Sequence, residues 1–354
     1  MGDCCGGGEH KNKGAEHAEN CGGAHACKEE SDMAVKNAQN ASMVGAQKRS
    51  RKMLIMLVAL VAVVSVSALI LFSVFTGGRT NNNGTLLQAP PLYGPNSIDF
   101  QALAQIVYPA SGFVLPVDWG HSVKILSESG ALNRTALVYA IEASNQSVAP
   151  YETEIMNGTF NGYINVNGSD SAFLLYVLWG LGVNNNNYII NEGPISKFGN
   201  PDQYASTGGY LPLGRLQLGK LYIINLTAPQ EQEAINVSEE TFRPCCNNPA
   251  MFPDCNHGAA ELALIEMMSA QGYNESMVFQ VLRNFLSVYY PQNMFDEAVV
   301  FASRGMNFSS VPANTTVSYS LFSATGAQNV GNYIQKYDLM QSSSASGAGS
   351  SCSA

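Results

Sequence analysis

The chain has 354 residues, 46% of them apolar and 13% charged, with a net charge of −9. That is ample for a packed core. Residues 78–354 carry ten Lys/Arg against twenty Asp/Glu, a balance without a basic stripe that excludes nucleic acid as a partner. No Rossmann fingerprint, P-loop, nucleophile elbow or metalloprotease helix occurs, so binding is expected rather than catalysis.

In chain order, residues 1–52 come first. They lack apolar periodicity and hold Cys4, Cys5, Cys21 and Cys27 among His10, His17 and His25, which predicts a disordered Cys/His-rich tail. Thiolate and imidazole suit Cu(I) and Zn(II), although the five residues between Cys21 and Cys27 fit no standard finger. Met1-Gly2 opens a myristoylation pattern that Gly6 breaks, because Ser or Thr belongs there.

Met53–Phe75 contains no charged residue. At about 1.5 Å per residue this stretch makes a helix of about 34 Å, long enough to cross a bilayer. Lys48, Arg49, Arg51 and Lys52 precede it and only Arg79 closely follows, so the N-terminus is predicted cytoplasmic and the larger part extracytoplasmic. Residues 76–95, polar with a Pro pair, read as a linker. After the apolar stretch come ten Asn-x-Ser/Thr sequences, starting at Asn83, Asn133, Asn145, Asn157, Asn167, Asn225, Asn236, Asn274, Asn307 and Asn314, which suit a surface glycoprotein.

The predicted outer domain, residues 96–339, reads as mainly α with a small β element. Ser97 or Asp99 caps a helix through Val107, stopped by Pro109. His121–Leu126 and Thr135–Ala143 read as helices around a Gly130 stop, and Tyr163–Val166 as a strand. Ser169 or Asp170 caps a helix from Ala172 to Leu181 that ends at Gly182. Leu216–Leu226 reads as a second strand, and Thr227 with Pro229 opens another helix. Asp254 or Asn256 starts a helix that Gly272 stops. Asn274 caps the next, with Met277, Val281, Phe285 and Val288 on one stripe and Pro291 as its end. Phe295–Ser303 adds a third helix, stopped at Gly305. Residues 340–354 read as a flexible Ser/Gly tail carrying Cys352.

The chemistry concentrates in RPCCNNPAMFPDCNHG, where Cys245, Cys246, Cys255 and His257 fall on a loop stiffened by Pro249 and Pro253. At the start of a helix, Cys255 is placed where the dipole favours a thiolate. Three readings follow. A disulfide, for example Cys246–Cys255, would staple the loop of a structural surface protein. A soft-metal site would use Cys245 or Cys246, Cys255 and His257, with Cys352 or Met251 as a fourth ligand. A thiol–disulfide oxidoreductase would use the pair with His257 as proton carrier, though no Cys-x-x-Cys is present. Asp118 and His121 are too few to name an enzyme.

Ser206–Tyr210 (STGGY), the RPCC…DCNHG run, the helix pair after it and the small-residue tail ending near a Cys resemble an uncharacterised family of single-pass membrane-anchored proteins from little-studied bacteria and archaea, over residues 95–354. The resemblance implies one domain and one anchor, and it brings no activity. The expectation is a membrane-anchored surface protein whose Cys/His site handles copper or zinc.

Overall fold

The computed structural model describes residues 86–210 and 214–340, all within the unit Asn81–Ala354. The expected tail cysteines Cys4, Cys5, Cys21 and Cys27, the span Met53–Phe75 and Cys352 lie outside the described residues. Among the described residues, no helix is long and apolar enough to cross a membrane.

Side-chain caps start the helices close to where the sequence puts them. Asp99 accepts from Ala102 N–H and opens α1 (Phe100–Val107). Next come β1 (Phe113–Leu115), α2 (Ser122–Glu128), α3 (Arg134–Ala143), α4 (Pro150–Asn157) and β2 (Ile164–Val166). β1 and β2 pair antiparallel with Val114 opposite Asn165, a two-stranded sheet in a mainly helical domain. α5 is Ser171–Asn184 and α6 Tyr188–Asn191. The C-terminal half holds α7 (Ala228–Glu240), α8 (Asn256–Ala270), α9 (Glu275–Tyr289), α10 (Pro291–Ser303), α11 (Ala313–Thr316), α12 (Tyr319–Phe322) and α13 (Ala324–Lys336).

The core is built on α5 against α8, two helices apolar on nearly every face, with α7 and α9 packed on α8 and α10 packed on α9. A helix buried all round has no solvent stripe, and these two approach so closely that a Cβ on Gly182 would meet Ala259 O at 1.9 Å. Gly182 is therefore a contact point inside α5, which runs on to Asn184, and not the stop expected of it.

Three further expectations change. Leu216–Leu226 is no strand, because its amides bond elsewhere. Gln217 N–H donates to Asn184 Oδ1, Leu221 N–H to Asn184 O, and Ile223 and Ile224 N–H to Asn185 Oδ1. The α9 stripe is rotated: Val278, Val281, Leu282, Phe285 and Leu286 are buried, while Met277 is 45% exposed. Residues 86–95, read as linker, lie on the domain: Leu92 and Tyr93 N–H both donate to Ser303 O, and Tyr333 Oη donates to Ala89 O.

Four of the Asn-x-Ser/Thr sequences begin at helix starts. Asn133 and Asn274 cap α3 and α9, while Asn167 and Asn307 cap short 3-10 turns. Asparagine is favoured at such starts because its side-chain oxygen satisfies a free N–H.

Candidate metal and thiol centre

The RPCC…DCNHG loop leaves α7 and returns to start α8. Thr241 Oγ1 donates back to Val237 O at 2.8 Å, and Ala250 and Met251 N–H close the loop onto Thr241 O and Ser238 O. The start of α13 holds the other side: Ala324 N–H donates to Cys246 O and Thr325 N–H to Asn247 Oδ1. Both ends of the loop are thus tied to helices of the core, which fixes the side chains it carries.

Arg243 is the centre of the arrangement and is wholly buried. Its Nη2 donates to Asp254 Oδ1 at 2.8 Å, Nη1 to Asn248 O at 3.3 Å and to Glu261 Oε2 at 3.5 Å, and Nε to Cys255 Sγ at 3.0 Å. Asn248 Nδ2 donates in turn to Asp254 Oδ2 at 2.6 Å. Gly258 makes room for the guanidinium, since a Cβ there would lie 2.4 Å from Nη2. A buried cation needs this many partners, because an uncompensated one costs several kcal/mol, of the order set by its lost hydration.

Cys255 is itself the N-cap of α8, in place of the expected Asp254 or Asn256, and its sulfur accepts from Gly258 N–H at 3.4 Å. Cys245 Sγ lies 3.7 Å from Cys255 Sγ. Cys246 Sγ turns toward Asn248 O at 3.7 Å and Asp254 Oδ1 at 3.8 Å. The three sulfurs all fall within 4.8 Å of one another, and the three cysteines are free and half-buried. The staple anticipated between Cys246 and Cys255 is not formed, and the sulfur in contact with Cys255 along a hydrogen-bonding line is that of Cys245.

The three thiols are not equivalent. Hydrogen bonds from Cys245 and then Cys246, with the Arg243 charge and His257, hold the Cys255 thiol well below its ordinary value against the opposing effect of burial. Cys245 is pushed far up, first by hydrogen bonding with Cys246, then with Cys255, and by burial. Cys246 is pushed up to about 12: hydrogen bonding with Cys245 pulls it down, but the bond to Cys255 and burial outweigh that. The shifts favour the thiolate at Cys255 over those at Cys245 and Cys246.

His257 is half-buried, its ring centroid 5.2 Å from those of both Tyr289 and Tyr290. It helps to lower the Cys255 thiol and stands outside the group of three sulfurs. Met251, expected as a possible fourth ligand, is buried in a separate apolar cluster with Ile189, Ile190, Ile195 and Leu262. The Tyr290 hydroxyl is buried, makes no hydrogen bond of good geometry, and is pushed up by burial and then by the nearby Cys245 charge.

Arg243, Asn248, Glu261 and Tyr290 were not singled out from sequence. Two signals existed: an Arg directly before Pro-Cys-Cys in a chain only 13% charged, and a Glu inside the apolar run AAELALIEMM. Asp118 spends its carboxylate on Gly120 N–H at 3.0 Å, a turn contact, and forms no pair with His121 in the observed bonding.

Searches among protein families, curated proteins and solved structures find no match to this chain. The functional reading therefore rests on the chemistry of the centre.

Proposed function

We propose that this protein is a membrane-anchored, extracytoplasmic binding protein that takes one soft metal ion, Cu(I) ahead of Zn(II), through Cys245, Cys246 and Cys255. The observation that carries the reading is the three sulfurs within 4.8 Å of one another without a disulfide among them. A metal at about 2.3 Å from each sulfur places the sulfurs about 3.8 Å apart in tetrahedral coordination, against 3.7 Å between Cys245 and Cys255. A set of three thiols favours Cu(I), because structural zinc asks for a fourth protein ligand. His257, two residues along from Cys255, is a candidate for that role, and water is the alternative.

The charge balance supports the same reading. Glu261 is pushed up to about 8 by burial, against the Arg243 charge. Arg243 and Asp254 cancel, and the lowered Cys255 thiol favours a negative sulfur that attracts a soft cation. Binding through all three sulfurs then displaces roughly two protons, those of Cys245 and Cys246.

The test is anaerobic titration of the reduced full-length chain in detergent with Cu(I) against a competing chelator. One ion per outer domain, with Cys255→Ser weakening it at least tenfold, or about 1.4 kcal/mol, is expected. The four tail cysteines are replaced by Ser in this sample so that they do not compete. Unchanged affinity on replacing any of the three loop cysteines rejects the reading. The anchor and orientation rest on Met53–Phe75 and its basic flank, and protease added to intact cells should digest residues 86–340 while sparing a tag at the N-terminus.

A further inference from the structure

We propose that Cys245 and Cys255 also form a two-electron thiol–disulfide couple that exchanges with small disulfides, Cys255 attacking and Cys245 resolving, with Cys246 outside the couple. The proposal stands on the thiol geometry and not on the metal reading, and the two fail separately.

The pairing follows from distances. Cys245 Sγ and Cys255 Sγ are 3.7 Å apart, in van der Waals contact. A disulfide is about 2.05 Å long, so side-chain torsions must close about 1.7 Å. Cys255 caps α8, and Cys245 lies on a loop that Pro249 and Pro253 and the start of α13 hold beside it. Cys246 Sγ lies within 4.8 Å of both other sulfurs, but its hydrogen-bonding contacts are Asn248 O at 3.7 Å and Asp254 Oδ1 at 3.8 Å. Bonding it to the adjacent Cys245 closes a strained eight-membered ring, a poor competitor.

The roles follow from the donors. Cys255 sulfur accepts from Arg243 Nε and Gly258 N–H, two groups that stabilise negative sulfur as it attacks and again as it leaves. In the first step the Cys255 thiolate attacks one sulfur of R–S–S–R. A Cys255–S–S–R bond forms, the R–S–S–R bond breaks, and the released thiolate takes a proton from solvent. In the second step Cys245 gives up its proton and attacks the Cys255 sulfur. The Cys245–Cys255 bond forms, and the second RS⁻ leaves carrying that proton. The protein dithiol is oxidised by two electrons and the disulfide is reduced to two thiols.

The experiment uses the reduced, metal-free full-length chain in detergent with a chelator, treated with oxidised glutathione and mapped by mass spectrometry without reduction. A Cys245–Cys255 cross-link with loss of two thiols is expected, and Cys246→Ser should give the same product at a similar rate. Cys245→Ser should stop with glutathione on Cys255. Cross-links through Cys246, or glutathione accumulating on wild-type Cys255 without closure, overturn the proposal. Persistence of all three thiols under oxidised glutathione overturns it as well, using the wild type alone, so a variant that misfolds does not blunt the test. A chain that closes this disulfide but ignores Cu(I) sinks the metal reading and leaves the couple standing. The reverse outcome does the opposite.

Discussion

Arg243 and Arg283 are both buried arginines with a buried glutamate nearby, and the domain treats them in opposite ways. Arg243 meets charged or charge-bearing partners: Asp254 at 2.8 Å, Glu261 at 3.5 Å and the Cys255 sulfur at 3.0 Å. Arg283 meets neutral ones, donating to Val311 O at 3.1 Å and Gln280 Oε1 at 2.9 Å, with its guanidinium 5.4 Å from the centre of the Phe308 ring. Burial lowers both, but the charges of Cys255 and Glu261 carry Arg243 well above its ordinary value, whereas Arg283 stays lowered despite Glu297. Glu297 has no hydrogen-bond partner on either oxygen and is held protonated by burial. The second site is structural support from neutral acceptors. The first fixes a cation where three sulfurs meet, an arrangement packing alone does not require.

The largest expected effect sharpens that contrast. Arg243→Met leaves Asp254 without its buried counter-charge and should cost about 3–5 kcal/mol in urea unfolding. Arg283→Met abandons two neutral acceptors and should cost about 1–3 kcal/mol. Equal or reversed losses would break the comparison.

A smaller intrusion, Gly258→Ala, places a Cβ 2.4 Å from Arg243 Nη2. It should cost about 1–3 kcal/mol by overpacking, and should slow thiol exchange because the guanidinium must shift away from Cys255. Stability at the wild-type level, measured by the same unfolding curves, would mean that the cradle around Arg243 is looser than its contacts indicate.

Both glutamates make stability fall as pH rises. A carboxyl whose folded value is raised holds a proton that the unfolded chain releases above about 4.3, so its stabilisation is full below that value and is lost as pH rises toward the folded one. Glu261, raised to about 8, should contribute a falling stability that levels off near there. Glu297 is also raised by burial, so its stabilisation falls in the same direction. Each slope is at most about 1.4 kcal/mol per pH unit. Glu261→Gln and Glu297→Gln should each make the decline shallower, read by a pH series of unfolding curves.

The smallest expected change in stability is at the cysteine itself. Ser is a good N-cap, so Cys255→Ser should keep α8 and shift stability by no more than about 1 kcal/mol while abolishing the disulfide couple and weakening metal binding. A large loss would instead make the Cys255 sulfur a structural partner of Arg243 first and a reactive group second.

Much of the helical framework was legible in the sequence because caps, periodicity and stops act within a few residues. Asp99, Thr227 and Asn274 each open the helix near them. Pro291 is instructive: it marks the end of α9 as expected, yet also opens α10 four residues before the anticipated Phe295, since a Pro in the first turn forfeits no helical bond. Local signals for α4, α11, α12 and α13 were too weak to be read, their sequences being short or mixed in polarity.

By itself the sequence determined that Cys245, Cys246 and Cys255 share one stiff loop at the start of a helix, because eight residues with two prolines bring the ends near each other. It determined the mainly helical class for the same local reasons. Only the tertiary structure decided which sulfur faces which, that Arg243 lies beneath them, and that Gly258 and Glu261 enclose it. It also decided that Leu216–Leu226 gives its amides to Asn184 and Asn185 instead of to a strand. These outcomes depend on which surfaces of α5, α7, α8 and α13 meet, and a buried charge or a thiol pair is settled by partners distant in the chain.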